Sequence, residues 1–309
     1  MQQRIPSPDA PDDHEHDQGL AHDLALIEKL KIGRRRALFW LGSAGGTALL
    51  VGCGGDSGSG TATTIPTATP TPTPTVTPTP SPTATPTPTT GACTVPATET
   101  NGPYPADGTN SAPGVTSNAL TYTGVVRSDI RSSFAGSSTA TAAGIIVDLT
   151  ITLVDANNGC TPLVGYAVYV WHCDKDGRYS LYDLPNESYL RGVQVSDANG
   201  QVKFKTIFPG AYSGRYPHIH FEVFSSLANA TGGRFARLIS QFAMPATQCA
   251  QVYATTTYAT SQTNYSRTPI ASDNVFSDNS TAQMAVMTLT MAGSTSAGYT
   301  ATSTIGIAT

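Results

Sequence analysis

Two phenols and two imidazoles, those of Tyr179, Tyr212, His218 and His220, are the residues of this chain whose types and spacing could do chemistry. They fall in two runs, Trp171-His172-Cys173-Asp174-Lys175-Asp176-Gly177-Arg178-Tyr179-Ser180 and Pro209-Gly210-Ala211-Tyr212-Ser213-Gly214-Arg215-Tyr216-Pro217-His218-Ile219-His220-Phe221. Phenolate is a hard, anionic oxygen donor that suits ferric iron, and imidazole accepts most first-row metals. His218 and His220 are two residues apart, so on a strand both point to one face, while Ile219 and Phe221 point to the other, where a core would take them. The pattern predicts a non-haem Fe(III) site on a β scaffold.

The elements that must position these donors are strands. Residues 147–154 alternate apolar and polar and run into the turn Asp155-Ala156-Asn157-Asn158-Gly159. Further strands are expected over 166–171, over 201–208 after the turn Asp197-Ala198-Asn199-Gly200, over 218–224, and late in the chain over 284–291. Short strands between Gly/Asn turns predict an all-β fold, a β-sandwich core with mixed or antiparallel sheets and long loops. No amphipathic helix is expected in this body. His172 shares strand parity with Val168 and Val170, which makes it a core or supporting residue rather than a ligand.

The chain divides into three parts: an N-terminal tail with a signal (1–53), a linker (54–90) and the body (91–309). Arg34-Arg35-Arg36 followed by an apolar stretch of roughly 16 residues, shorter than the ~20 that span a bilayer, reads as an export signal of the twin-arginine type. Its ending, Leu50-Val51-Gly52-Cys53, resembles a bacterial lipoprotein box with Cys53 as the lipidated residue. The linker begins Gly/Ser-rich and becomes a Thr-Pro repeat, an extended and disordered spacer. The expected location is therefore the bacterial cell envelope, lipid-anchored at Cys53 or secreted, with membrane contact through the N-terminal anchor only. Net charge is −4 and only 12% of residues are charged, with no basic run in the body, which excludes nucleic-acid binding. The body holds Cys93, Cys160, Cys173 and Cys249; an even count in an exported domain predicts two disulfides, of unassigned pairing, with a bridge at Cys173 stiffening the loop of Tyr179.

With these residues in view, the body from about 94 to 291 resembles the intradiol ring-cleavage dioxygenases, of the catechol and protocatechuate type. The likeness rests on Glu99-Thr100-Asn101-Gly102-Pro103-Tyr104, on Trp171-His172-Cys173-Asp174 through Tyr179-Ser180, and on Arg191-Gly192 with Pro209-Gly210-Ala211-Tyr212 and Arg215 through His220. The resemblance implies an Fe(3+) cofactor with Tyr179 and His218 as equatorial ligands and Tyr212 and His220 as axial ones. It implies that Arg215 stabilises negative charge on the substrate ring, that Tyr212 leaves the metal and takes up a substrate proton, and that Gln241 lines the pocket. The partners implied are a small aromatic diol and O2, giving a cis,cis-muconate-type product, with a homodimer as a candidate assembly. Export would place the substrates outside the cytoplasm, among lignin-derived or plant phenolics. Two features depart from the family pattern: Asn101 replaces the usual acid before Gly-Pro, and the loop between Tyr212 and His218 is short.

A rival reading comes from another class. Asp197-Ala198-Asn199-Gly200 and Phe208-Pro209-Gly210-Ala211-Tyr212 also resemble transthyretin-like sandwiches, metal-free modules that would bind a surface polymer from the end of the stalk. That reading gives Tyr179 and His218-Ile219-His220 no role. A third is an iron-binding relic without turnover.

Overall fold

In the computed structural model the described residues are 93–309; the expected signal, Cys53 and the Thr-Pro linker lie outside them. Strand β1 (Ile146–Asp155) buries Val147, Leu149, Ile151 and Leu153 on one face, as its alternation requires. It pairs antiparallel with β5 (Gln201–Ile207) and parallel with β9 (Gly298–Ile307), and its end pairs with the two-residue β2 (Thr161–Pro162). β8 (Thr290–Ser294) flanks β9 at the far edge. The second sheet is antiparallel throughout, in the order β4 (Arg191–Val195), β3 (Ala167–Trp171), β6 (His218–Phe224), β7 (Leu238–Ala243). The two sheets face each other across a core that includes Leu149, Ile151, Phe204, Val168, Val170 and Phe221. Each such side chain contributes roughly 1.5–3 kcal/mol by leaving water.

The second sheet departs from ordinary sandwich alternation. Every residue of β3 and β6 is buried, so its outer face is covered as well. There Tyr169, Trp171 and Phe224 pack against Leu120, Val125 and Leu181 in a second apolar cluster. That covered outer face also carries His218, His220 and Glu222, each at most 2% exposed. Polar side chains on a doubly buried strand are costly unless they have partners or a task.

Three expectations need correction. Helices do occur: α1 (Ala246–Tyr253), α2 (Ala259–Arg267) and α3 (Thr281–Met287). In α1, Cys249, Val252 and Tyr253 form an i, i+3, i+4 apolar face too short to stand out in the sequence. The strand expected over 284–291 is mostly α3; Ser280 and Gln283 form a reciprocal capping box that starts the helix, and pairing resumes only at Thr290. Among the described residues one disulfide forms, Cys93–Cys160, while Cys173 and Cys249 are buried free thiols. The Cys173 sulfur instead contacts the Gly210 carbonyl oxygen at 3.4 Å. The bridge fixes the start of the domain to the β1–β2 turn, beside the Gly306 N–H that donates to Thr94.

Candidate metal centre

Strand parity works as the sequence requires. His218 and His220 project from the outer face of β6, with Ile219 and Phe221 in the core between the sheets. His220 lies opposite Trp171 in the β3–β6 register, and the two rings stack at 4.7 Å and 7°. Tyr169, two residues before Trp171, continues the stack at 5.0 Å. The imidazole plane of His220 is thus set by β3.

The phenols come from two loops that dock backbone to backbone. After β3 the Asp174 carboxylate accepts the N–H groups of Asp176 and Arg178 and pairs with the Arg178 guanidinium at 2.9 Å, closing a tight turn before Tyr179. Tyr179 N–H then donates to Asp183. The second loop meets this turn through Gly210, whose N–H donates to the Asp174 carbonyl; a Cβ there would stand 2.5 Å from that oxygen. Gly177, at φ +86°, turns beneath Tyr212. Glycine at these two positions is what lets the loops carrying Tyr179 and Tyr212 approach.

The four donors meet at one point. His218 Nε2 lies 3.0 Å from His220 Nε2, 3.2 Å from Tyr212 Oη and 3.4 Å from Tyr179 Oη. His218 Nδ1 donates to the Tyr216 carbonyl at 2.5 Å, because a carbonyl can only accept, and this leaves the Nε2 lone pair facing the other donors. Burial, then the Arg215 charge, holds His218 below its ordinary pKa; burial, then His218, does the same to His220. Both imidazoles are therefore neutral and able to ligate. Burial and then the neighbouring Tyr212 push the Tyr179 phenol well up, so in the bare site it keeps its proton. A cation at the centre reverses that preference. Tyr179 is 1% exposed, whereas Tyr212 is half-buried.

A ferric ion fits these residues. Two hard oxygen donors and two imidazole nitrogens converge, a donor set that suits a ferric ion. Among the described residues no three His, Cys, Asp or Glu side chains gather to hold a metal; here half of the donor set is phenolic.

Arg215 and Gln241, the other two expected site residues, are bonded to each other. Arg215 Nη2 donates to Gln241 Oε1 at 2.7 Å, and Gln241 Nε2 donates to the Thr100 carbonyl. Gln241 stands opposite His220 in the β6–β7 register. Asn101 bonds Asp107 and Thr109, and Tyr104 lays its ring over Tyr179 at 4.8 Å. His172 is a supporting residue, 1% exposed, with its ring nitrogens on the Cys173 carbonyl and the Thr206 hydroxyl. Sequence reasoning missed Asp273, which receives the Arg215 Nε–H at 3.0 Å with both side chains buried. The available signal was an acid beside Val275-Phe276 in a chain with few charges.

The model of the family described as Dioxygenase matches residues 137–297, about half of the chain. A chlorocatechol 1,2-dioxygenase of Rhodococcus opacus is 39% identical over 54 residues, which are 17% of this chain and 21% of that protein. The chain thus spans about a fifth of the length of the curated relative it matches. Among solved structures, an intradiol ring-cleavage dioxygenase from Tetranychus urticae is 26% identical, covering 60% of this chain and 87% of that one, with a TM-score of 0.49. The dioxygenase domain of a dioxygenase carbohydrate-binding protein fusion from Streptomyces sp. SirexAA-E is 18% identical, covering 67% and 94%, with a TM-score of 0.40.

Proposed function

Because this chain belongs to the intradiol ring-cleavage dioxygenase family, we propose that it opens a catechol-type aromatic between its two hydroxyls with O2, giving a cis,cis-muconate-type product. The cofactor in this reading is Fe(3+), held by Tyr179, Tyr212, His218 and His220. The observation that carries it is the meeting of these four donors within 3.4 Å of one imidazole nitrogen on a buried strand. Ferric iron, when bound, supplies a Lewis acid that draws electron density from a catecholate and renders its ring reactive toward O2.

The protein's residues do the rest. The Tyr216 carbonyl fixes the His218 tautomer, and Trp171 fixes the His220 plane. Tyr212, the more exposed of the two phenols, would be held as a phenolate by bound ferric iron and in that form takes up a proton from one substrate hydroxyl. Arg215, held by Gln241, faces the negative charge that builds on the ring; one preorganised donor of this kind is worth about 3–4 kcal/mol. Export to the cell envelope, with lipidation at Cys53, belongs to the same proposal. The Cys93–Cys160 disulfide supports it, since such bridges persist in oxidising compartments.

The test is a visible absorption spectrum of the purified chain with iron analysis, followed by oxygen uptake with catechol, methylcatechol and hydroxyquinol. The expected result is a broad tyrosinate-to-iron band, about one iron per chain, and ring opening of at least one diol. A colourless protein after ferric reconstitution would overturn the site. Iron binding without oxygen uptake on any of the three would overturn the activity.

A further inference from the structure

The buried carboxylate of Asp273 accepts from five donors. Its Oδ2 receives the Arg215 Nε–H at 3.0 Å and the Tyr216 N–H at 2.6 Å. Its Oδ1 receives Arg215 Nη2 at 3.4 Å and the N–H groups of Val275 and Phe276 at 2.9 and 3.2 Å. Asp273 is 0% exposed and Arg215 is 1% exposed, and the two are 58 residues apart in the chain. Burial alone would raise the carboxyl's pKa, but the Arg215 charge and the hydrogen bonds from Arg215 and Tyr216 outweigh it and hold the group ionised.

These contacts lead to the centre along two routes. Arg215 is the cation offered to the substrate ring; Gln241 accepts from its Nη2 as a neutral amide, whereas Asp273 meets its Nε and Nη2 with a charge. Tyr216 supplies the carbonyl that sets the His218 tautomer, and its own N–H ends on Asp273. The Phe276 ring, whose backbone the same carboxylate anchors, packs against Tyr216 and His218.

We propose that Asp273 is the positioning residue of this site, a carboxylate that aims Arg215 at the reacting ring and holds the peptide entering β6 in place. The proposal rests on the dioxygenase reading above. Asp273 acts through Arg215 and touches neither substrate nor metal. Its loss therefore lowers turnover more than it weakens diol binding, because the charge that Arg215 meets exists only as the ring reacts.

The experiment compares the full-length wild type with Asp273→Asn, Asp273→Glu, Arg215→Lys and the Asp273→Asn/Arg215→Lys double variant. Asp273→Asn is expected to lower kcat about 30- to 100-fold, the scale of a 1 Å misplacement, with the anaerobic catechol Kd changed less than about 3-fold. Asp273→Glu should recover part of the rate. In the Arg215→Lys background, Asp273→Asn should cost less than about 3-fold, because both changes remove the same interaction. The second readout needs no turnover: in the gallium(III)-loaded chain the Arg215 Nε–H should be protected from exchange by at least about 10-fold in wild type and lose that protection in Asp273→Asn. Equal kcat in wild type and Asp273→Asn, or fully additive effects in the double variant, would overturn the proposal while leaving the dioxygenase reading intact. A wild type that turns over no diol but shows a protected Nε–H would overturn that reading instead. An unprotected Nε–H in wild type would overturn the placement of Asp273.

Discussion

Protonation of His172 should destabilise this domain from a point behind its candidate metal centre. The imidazole is buried at the end of β3, where Nδ1–H donates to the Cys173 carbonyl at 2.8 Å and Nε2 accepts from the Thr206 hydroxyl at 2.6 Å. Thr206 belongs to β5, so this bond ties one sheet to the other just before the loop that carries Tyr179. Burial lowers the pKa from 6.5 to about 4; the Cys173 carbonyl opposes this and the Arg191 charge adds to it. The folded state disfavours the proton that the unfolded chain accepts, so this stabilisation is complete above pH 6.5 and disappears as pH falls through about 4. A shift of that size is about 3 kcal/mol between pH 7 and pH 4, a large part of a typical domain's stability. His172→Gln keeps a neutral hydrogen-bonding group and removes the titration. Urea unfolding at half-unit steps of pH, with equal metal loading in both proteins, should show wild type losing about 3 kcal/mol more than His172→Gln across this interval. Parallel stability curves for the two proteins would refute the reasoning.

Tyr179→Phe should leave the fold intact but abolish most of the visible band and lower iron content well below that of wild type, both read from one spectrum and one metal assay. Replacing Cys93 and Cys160 together by Ser opens a loop with a sequence separation of 67 and should cost at most about 4 kcal/mol in urea unfolding, the loop-entropy value. Gly233→Ala should cost about 1–3 kcal/mol, because the added Cβ would stand 1.9 Å from the Asp107 carboxylate oxygen in a buried site; a wild-type midpoint would show that this carboxylate moves freely.

How much could be read from the sequence depended on periodicity. β1, β5 and β6 were legible because each has one face on the core, and the observed strands begin and end within a residue or so of the expected ones. β4, with two polar residues in five, and β9, rich in Thr and Ser, were not, because they pair with strands whose own apolar faces supply the burial. The histidine pair was legible from parity alone. Tyr179 and Tyr212 sit on loops, where no period exists, and only their flanking residues marked them. Asp273 left only the weak trace of an acid beside Val275-Phe276, since a partner 58 residues away contributes nothing to a window of sequence. The two-disulfide expectation failed for a related reason: parity of count says nothing about distance, and Cys173 lies against Gly210 while Cys249 lies against Met244.

The buried cation explains why the domain needs the parts outside its sheets. Arg215 reaches the N-terminal segment through Gln241 and the Thr100 carbonyl, and it reaches the helical excursion between β7 and β8 through Asp273. A guanidinium at 1% exposure would carry a large desolvation cost without Asp273, because an uncompensated buried charge costs about 3–5 kcal/mol. The sandwich alone supplies the two histidines and Gln241; the segments wrapped over its outer face supply Asp273, the counter-charge of the cation, and the Thr100 carbonyl that orients Gln241. That division matters for chemistry. A charge fixed by folding requires no rearrangement of the site at the moment negative charge develops on a bound ring, whereas a surface arginine would have to give up water and rotamer freedom first. Residues that lock Arg215 are therefore expected to affect rate before they affect binding.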